Sequence, residues 1–191
     1  MANLKEIRNR ITSVGSTMQI TSAMKMVSAA KLKRAQDAIT QMRPYANKLT
    51  ELLVNLSSSL DTSEGGEFSS DRPQRKILLV AITSNRGLCG GFNANIIKKI
   101  NLLIKEDYKE SQVSILSIGK KSSEYFNNNN FSVVSTHDDV FSDLKYDSIS
   151  SIANNIMQDY INQKFDKVVL VYNQFKNAAT QYVMNEACLT V

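Results

Sequence analysis

Residues 4–60 read LKEIRNRITSVGSTMQITSAMKMVSAAKLKRAQDAITQMRPYANKLTELLVNLSSSL, and this stretch decides the architecture. Alternating steps of three and four from Leu4 reach seventeen positions without a slip, and twelve of them are Leu, Ile, Met or Val. The twelve are Leu4, Ile7, Ile11, Val14, Met18, Leu32, Ile39, Met42, Leu49, Leu53, Leu56 and Leu60. An apolar repeat with this period, here called the seam, predicts one helix of a long coiled coil.

The predicted helix begins near Ala2 or Asn3 and ends near Ser58, and sixty residues of helix span about 90 Å. Pro44 lies inside it and predicts a local bend in one continuous helix, because proline removes a backbone hydrogen bond. Burial of an apolar side chain contributes ~1.5–3 kcal/mol, so twelve exposed seam residues would leave at least roughly 20 kcal/mol unrealised. We therefore expect the helix to need a partner, and to fray or self-associate without one.

Charge is unevenly placed along the chain of 191 residues, whose net charge is +5. Residues 1–60 carry nine Lys or Arg and three Asp or Glu, so the basic character belongs to the helix. An N-terminal basic amphipathic helix would also suit a transit peptide or a membrane surface, but the seam continues well past any such peptide. The sequence has no run of about 18 apolar residues, which argues against a membrane span.

The two cysteines, Cys89 and Cys188, form no CxxC pair, and no secretory signal precedes them. Two free thiols in a reducing cytosol are the simplest interpretation.

The remaining chain predicts a linker over residues 59–75, rich in Ser and Gly, and an α/β domain over residues 76–191. Apolar runs predict buried strands at 77–82, 113–118 and 167–172, with a further strand at 131–135 and an extended segment from 180 to 191. Helical spacing falls at 93–104, 120–126 and 148–165, with a loop at 127–130. Strands that alternate with helices predict a Rossmann-like domain with a mostly parallel sheet.

Residues 84–93, SNRGLCGGFN, lie between the first strand and its helix, where an α/β protein can cradle phosphate. The glycine spacing is neither GxGxxG nor a P-loop, and no acidic residue ends the second strand to hold a ribose. The alternative interpretation is a tight turn that needs glycine. No histidine lies near Cys89 in sequence, so a thiol nucleophile is not indicated.

Catalytic and metal-binding patterns are weak elsewhere. His137-Asp138-Asp139 is the only histidine cluster, has no further ligand at a useful spacing, and is interpreted as a solvated loop. Asp143, Asp147 and Asp159 form no evident acid/base pair, and no Ser/His/Asp set is recognisable. We predict no cofactor and no catalysis by this chain.

A basic cluster, Lys31, Lys33 and Arg34, follows the one interruption of the seam at Thr21, Lys25 and Ser28. The cluster suits either the solvated face of a coiled coil or contacts to phosphates of a nucleic acid. Aromatic residues do not interleave with these charges, so nucleic acid is the weaker interpretation.

Four segments together resemble the gamma subunit of F-type ATP synthases. They are LKEIRNRI at 4–11, ITSAMKMVSAAK at 20–31, RPY at 43–45 and SNRGLCGGFN at 84–93. The matches occur in order along the chain, which makes them specific as a set. Members of this family continue beyond the position of Val191 into a second shaft helix, so the resemblance implies a fragment or an incompletely recorded chain.

The resemblance implies a non-catalytic rotor shaft. The N-terminal helix would pair with the C-terminal helix of the same polypeptide inside a ring of alpha and beta subunits, while the α/β domain would contact epsilon and the c-subunit ring. The location implied is the cytoplasmic face of the bacterial inner membrane, peripheral to it. An off-centre shaft changes the relative affinities of the beta sites as it turns.

The resemblance also assigns candidate partner-binding residues. Met24 lies where the shaft passes the sleeve of the surrounding ring, and Lys31, Lys33 and Arg34 lie where basic residues face acidic loops of beta. The polar interruption of the seam suits a bearing surface that must turn. Two alternatives remain: a coiled-coil oligomerisation or scaffold protein, and a nucleotide-binding enzyme that uses the glycine turn.

Overall fold

The computed structural model describes residues 3–59, 68, 72–142 and 144–189, with the backbone alone for residues 56–59. The chain divides into two units, Met1–Ser59 and Leu60–Val191.

The first unit is a single helix, α1, Leu4–Ser59, which continues through Pro44 and confirms the prediction of one long helix. Asn3 begins it: its carbonyl oxygen accepts hydrogen bonds from the amides of Glu6 and Ile7, and its Oδ1 accepts one from the Lys5 amide at 3.3 Å. An asparagine at this position satisfies amides that have no partner inside the helix. Of the seam predicted from sequence, the Leu56 side chain and Leu60 lie outside the described residues.

The second unit is an α/β domain. Its strands are β1 Lys76–Ile82, β2 Gln112–Ile118, β3 Val133–His137, β4 Lys167–Phe175 and β5 Gln181–Ala187. Its α-helices are α2 Phe92–Lys105, α3 Lys120–Asn128 and α4 Tyr146–Ile161, and a 3-10 turn covers Asp139–Phe141.

The five strands form one sheet in the order β3-β2-β1-β4-β5. The pairs β1–β2, β1–β4 and β2–β3 are parallel, and β4–β5 is antiparallel. The mostly parallel sheet predicted from the alternating pattern is confirmed. Strand β1 is central, with Leu79 opposite Ile115 on one side and Val169 on the other, as its continuous apolar run requires.

The sheet has a core on each face. Alternate residues of β1 enter opposite cores, because successive side chains of a strand point to opposite faces. One core joins Ile77, Leu79 and Ala81 to the inward residues of α2 and to Phe126 of α3. The other joins Leu78 and Val80 to Ile152, Ile156 and Tyr160 of α4.

The structure moves two of the predicted boundaries around α3 and β3. Helix α3 extends to Asn128, into the predicted loop, and β3 begins at Val133 instead of Phe131. The amide of Phe131 still bonds to the Phe126 carbonyl, and its ring meets that of Phe126 edge-on at 5.2 Å. Phe131 therefore closes the end of α3, and the strand starts only after it.

Helix α4 ends at Ile161, four residues before the predicted end at Phe165. Gln163 adopts a φ of +58°, and the Lys164 amide bonds to the Asp159 carbonyl at 2.9 Å. This left-handed termination turns the chain back on itself. Phe165, which helical spacing had placed on the helix, returns to the core instead and is buried.

The predicted linker lies largely outside the described residues, which include only Phe68 and residues 72–75 of it. Both cysteines are free thiols and exposed. Within the described ranges, no helix combines the length and the apolar character that crossing a bilayer demands.

Candidate functional site: the exposed face of the long helix

The described seam of α1 is exposed, except for Ile39, which is half-buried. Ile11 and Met18 leave 67% and 68% of their surface accessible, whereas Ile100 in the domain core leaves 0%. The exposed members of the seam are Leu4, Ile7, Ile11, Val14, Met18, Leu32, Met42, Leu49 and Leu53. Isolated exposed apolar residues are ordinary, but a continuous apolar stripe on one helix indicates a binding surface.

The threonine hydroxyl groups of α1, and that of Ser16, are satisfied within the helix itself. The side chains of Thr12, Ser16 and Thr17 each donate to the carbonyl four residues earlier, at 2.9–3.1 Å. Thr21, in the interruption of the seam, donates to the carbonyls of Thr17 and Met18. These hydroxyl groups therefore need no outside partner.

A second apolar row fills the interruption of the seam. Ile20, Met24 and Val27 stand one residue before Thr21, Lys25 and Ser28, and each is more than half exposed. The same row continues to Lys31 and Arg34. The apolar face of α1 thus shifts around the helix by about 100°, one residue's rotation, where the seam is polar.

The four candidate residues do not share one face. Met24, Lys31 and Arg34 lie on the second row, because they are seven and three residues apart. Lys33 lies about 160° around the helix from Lys31. Ile20 and Val27 were not among the candidate contact residues, although the same three–four spacing displaced by one residue places them on the row of Met24.

The glycine turn between β1 and α2 is braced by one side chain. Asn93, buried, accepts a hydrogen bond from the Ser84 amide at 2.9 Å and donates to the Arg86 carbonyl at 3.1 Å. Gly90 has a φ of +60°, which glycine adopts without strain, while Leu88 is held at +59° with its side chain fully exposed. The turn is therefore a preformed projection on the surface of the domain.

The inside of this turn does not resemble an anion cradle. The Arg86 carbonyl points into it, accepting from the Asn93 amide and from the Ser84 hydroxyl at 2.7 Å, whereas phosphate requires converging donors. An open depression beside the turn, of about 620 Å³, is lined by Cys89, Phe92, Asn95, Gln181 and their neighbours, with no charged side chain among them. Neither feature favours a nucleotide.

His137 and Asp138 are bound into the domain, which corrects their interpretation as a solvated loop. His137 ends β3, half-buried, with its Nε2 3.2 Å from the Ser135 hydroxyl. Asp138 accepts a hydrogen bond from the Ser123 hydroxyl at 2.6 Å, and its carbonyl accepts one from Asn85. In the part of the chain that the structure describes, no group of His, Cys, Asp or Glu could hold a metal ion.

The clearest perturbed titrating group lies away from the turn. Burial, with a 3.0 Å hydrogen bond to Glu186 and that carboxylate's charge, raises the pKa of Tyr172 to about 12. Desolvation also raises the pKa of the Cys188 thiol, although the residue as a whole is exposed, and the direction opposes a reactive thiolate. Both shifts favour the neutral group and provide no general acid or base near pH 7.

Comparison with known proteins gives a consistent result. The family model described as ATP synthase matches residues 3–191. The ATP synthase gamma chain of Christiangramia forsetii is 51% identical over 191 residues, which are all of this chain and 66% of that protein. The ATP synthase gamma chain of Flavobacterium johnsoniae is 56% identical over 189 residues, which are 99% of this chain and 65% of that protein. The chain thus spans slightly less than two thirds of the length of these relatives.

Solved structures are similar as well. The central stalk and c-ring structure of the Tetrahymena thermophila mitochondrial ATP synthase contains a chain 26% identical, with a TM-score of 0.69, covering 90% of this chain and 72% of that one. A chain in the rotor of the Euglena gracilis mitochondrial ATP synthase is 18% identical, with a TM-score of 0.57, and covers 96% of this chain and 62% of that one. The second likeness concerns the fold alone.

Proposed function

The chain belongs to the ATP synthase gamma chain family, and from that premise we propose that it acts as the non-catalytic shaft of a rotary ATP synthase. Rotation driven by proton flow would turn the shaft and change the affinities of the catalytic sites on the beta subunits in sequence. One observation carries the proposal: the 56-residue helix α1 exposes an apolar stripe along one face, while the α/β domain buries its own core.

The proposed partners divide between the two units. Helix α1 would pair through its seam with a C-terminal helix of the gamma polypeptide and would face the alpha and beta subunits. The α/β domain would contact epsilon and the c-subunit ring, and the complex would place the chain at the cytoplasmic face of the bacterial inner membrane, peripheral to it. Supporting this assignment, the net positive charge is confined to the helix, and the relatives named above are ATP synthase gamma chains.

Within α1 the proposed contact residues are Met24, Lys31, Lys33 and Arg34. All four are exposed, and no ion pair or side-chain hydrogen bond occupies the three basic residues among the residues described. Met24 would meet the sleeve of the ring, and the basic residues would face acidic loops of beta. Nucleic acid is not among the proposed partners, because no aromatic residues accompany this basic cluster.

The helix geometry sharpens the test of these contacts. In the complete complex, Lys31→Glu combined with Arg34→Glu reverses two charges on the row of Met24, and Lys33→Glu reverses one that lies about 160° around the helix from Lys31 and about 100° from Arg34. If acidic loops face that row, the double variant lowers ATP-driven rotation at least about fivefold, because like charges at an interface cost several kcal/mol. Unchanged rotation in the double variant would refute the proposed contact.

Lys33→Glu tests the third basic contact residue separately from the second row. A loss of rotation in this variant supports the proposed contact of Lys33 with beta. Rotation near the wild-type rate would remove Lys33 from the proposed contact and leave the second row as the partner surface.

The same exposed stripe also suits a coiled-coil oligomerisation protein, and this is the second candidate. Size-exclusion chromatography of the chain, alone and mixed with alpha and beta subunits, separates the two. A shaft subunit joins the alpha–beta complex at a fixed stoichiometry. An oligomerisation module forms a defined self-complex whose size the added subunits leave unchanged.

A further inference from the structure

The described residues before β1, Phe68 and 72–75, contact the end of α4 and the loop between α4 and β4. Phe68 stacks on Tyr160 near the end of α4, with ring centroids 5.8 Å apart and planes inclined by 17°. The guanidinium of Arg72 lies 4.4 Å from the centroid of the same ring. Tyr160 is itself fully buried in the core beneath α4, so both residues contact a fixed group.

Arg72 also makes a hydrogen bond to the backbone of α4. Nη1 of Arg72 donates to the carbonyl oxygen of Tyr160 at 2.8 Å. That carbonyl belongs to the last turn of α4 and also accepts a hydrogen bond from the Gln163 amide at 3.0 Å. The helix dipole favours a cation at this end of the helix. Arg72 thus binds Tyr160 through both its ring and its backbone.

The next residues are held by the loop between α4 and β4. The amides of Arg75 and Lys76 both donate to Oδ2 of Asp166, at 3.0 and 2.8 Å, and the Asp166 amide returns a bond to the Lys76 carbonyl. On the other side, the Ser111 hydroxyl donates to the Gln74 carbonyl at 2.7 Å. These bonds fasten the segment along the edge of the sheet where β1, β2 and β4 begin.

From these contacts we propose that Phe68 and residues 72–76 form an anchoring strap, which transfers force from the chain that follows α1 into α4 and the α4–β4 loop. Without the strap, tension would act on Lys76 and peel the central strand β1 from its neighbours one hydrogen bond at a time. With it, tension first meets the Tyr160 and Asp166 contacts together. The strap rests on contacts within the α/β domain and stands whether or not the chain is a rotor.

Two arginines three residues apart provide a matched test. Arg72→Ala removes the contact with the Tyr160 ring and the hydrogen bond to the Tyr160 carbonyl. Arg75→Ala is the control, because the hydrogen bonds of Arg75 in the described part of the chain are made by its backbone and not by its side chain. Amide hydrogen exchange of the whole chain is measured for peptides that cover 72–76 and 158–162. Arg72→Ala raises exchange there at least about tenfold, with α1 and α2 unchanged, because local opening reports local contacts.

Tyr160→Phe tests whether the ring itself is the anchor, since its hydroxyl is buried with no hydrogen-bond partner among the described residues. This variant keeps the low exchange of the wild type, and Phe68→Ala raises exchange as Arg72→Ala does. Equal exchange in the Arg72→Ala and Arg75→Ala variants overturns the strap. A rise spread evenly over the domain in Arg72→Ala overturns it as well, because it reports only global instability.

Force measurement tests the mechanical part. The chain is pulled between its N-terminus and Cys188, with Cys89→Ser leaving one thiol for the handle. Arg72→Ala lowers the rupture force of the domain, and Arg75→Ala does not. A rupture force that is unchanged by Arg72→Ala refutes the transfer of load through the strap.

Discussion

Helix α1 and the α/β domain use apolar residues in opposite ways. In the domain, α2 and α4 pack apolar residues against the sheet, and Ile96, Ile100 and Tyr160 are fully buried. In the described part of α1, an equally regular apolar pattern is mostly exposed. A regular period of apolar residues therefore identifies a surface that favours burial. It does not show which part of the chain, or which other chain, buries that surface.

The largest expected effect breaks the domain while leaving α1 intact. Gly119 has a φ of +105°, and a Cβ added there would lie 2.1 Å from the Thr83 carbonyl oxygen. Gly119→Ala therefore costs at least about 3 kcal/mol, because the strained backbone and the clash act together. Near-UV circular dichroism monitors the tyrosines, of which Tyr45 alone lies in α1, and the far-UV signal monitors the helix.

Gly87→Ala is the control for that change, since a Cβ at Gly87 meets nothing within 4 Å. It leaves the tyrosine signal of the folded domain in place. Comparable losses of the tyrosine signal at both glycines would show that the clash with the Thr83 carbonyl does not cause the effect.

The same substitution in both units measures the contrast directly. Ile100→Ala removes a fully buried side chain of α2 and lowers the free energy of unfolding of the domain by about 2–5 kcal/mol. Ile11→Ala, at a site 67% exposed, leaves the domain unchanged and favours α1 slightly, because alanine has the higher helix propensity. Urea titration of each variant gives both values. A large loss for Ile11→Ala in the isolated chain would mean that the seam is already covered.

A smaller effect is expected at the glycine turn. Asn93→Ala removes the side chain that bridges the Ser84 amide and the Arg86 carbonyl, and lowers the free energy of unfolding by about 1–3 kcal/mol. Asn95→Ala, two residues later on the exposed side of α2, is the matched control and changes it by less than about 0.5 kcal/mol. Thermal unfolding followed by the tyrosine signal distinguishes them. Equal effects would exclude a bracing role for Asn93.

The smallest effect depends on pH. The folded pKa of Tyr172 is raised to about 12, above the ordinary value of 10.0. A raised pKa means that the stabilisation is fully present below pH 10 and is lost as the pH rises through about 12. The difference in unfolding free energy between the wild type and Tyr172→Phe, measured from pH 9 to 12, shrinks across that range. It remains below about 1 kcal/mol, because solvent screens this partly exposed pair. A difference in unfolding free energy that does not change with pH would contradict the link between the ionisation of Tyr172 and stability.

Sequence reasoning found the elements and missed what ends some of them. The period of α1 and the continuous apolar run of β1 are strong signals, since each repeats one choice many times. The end of α4 depends on Gln163 in a left-handed conformation, and the start of β3 depends on Phe131 packing against Phe126. Neither event follows from propensity, because each is decided by contacts with residues outside the element.

The candidate site divides in the same way. Met24, Lys31, Lys33 and Arg34 come from the resemblance. The helical geometry then separates Lys33 from the row of the other three and adds Ile20 and Val27 to it. The half-buried positions of His137 and Asp138 depend on Ser123 and Asn85, which lie on other segments. No local pattern around the histidine could have indicated those partners.

The amino-acid sequence by itself determined that this chain has a long helix with one apolar face and an α/β domain with a mostly parallel sheet. Periodicity suffices for this, because helix and strand present side chains at fixed intervals. Only the tertiary structure decided which apolar residues are buried, how Asn93 braces the turn, and that Phe68 and Arg72 reach Tyr160. Those outcomes depend on residues far apart in the chain, whose distances no local pattern records.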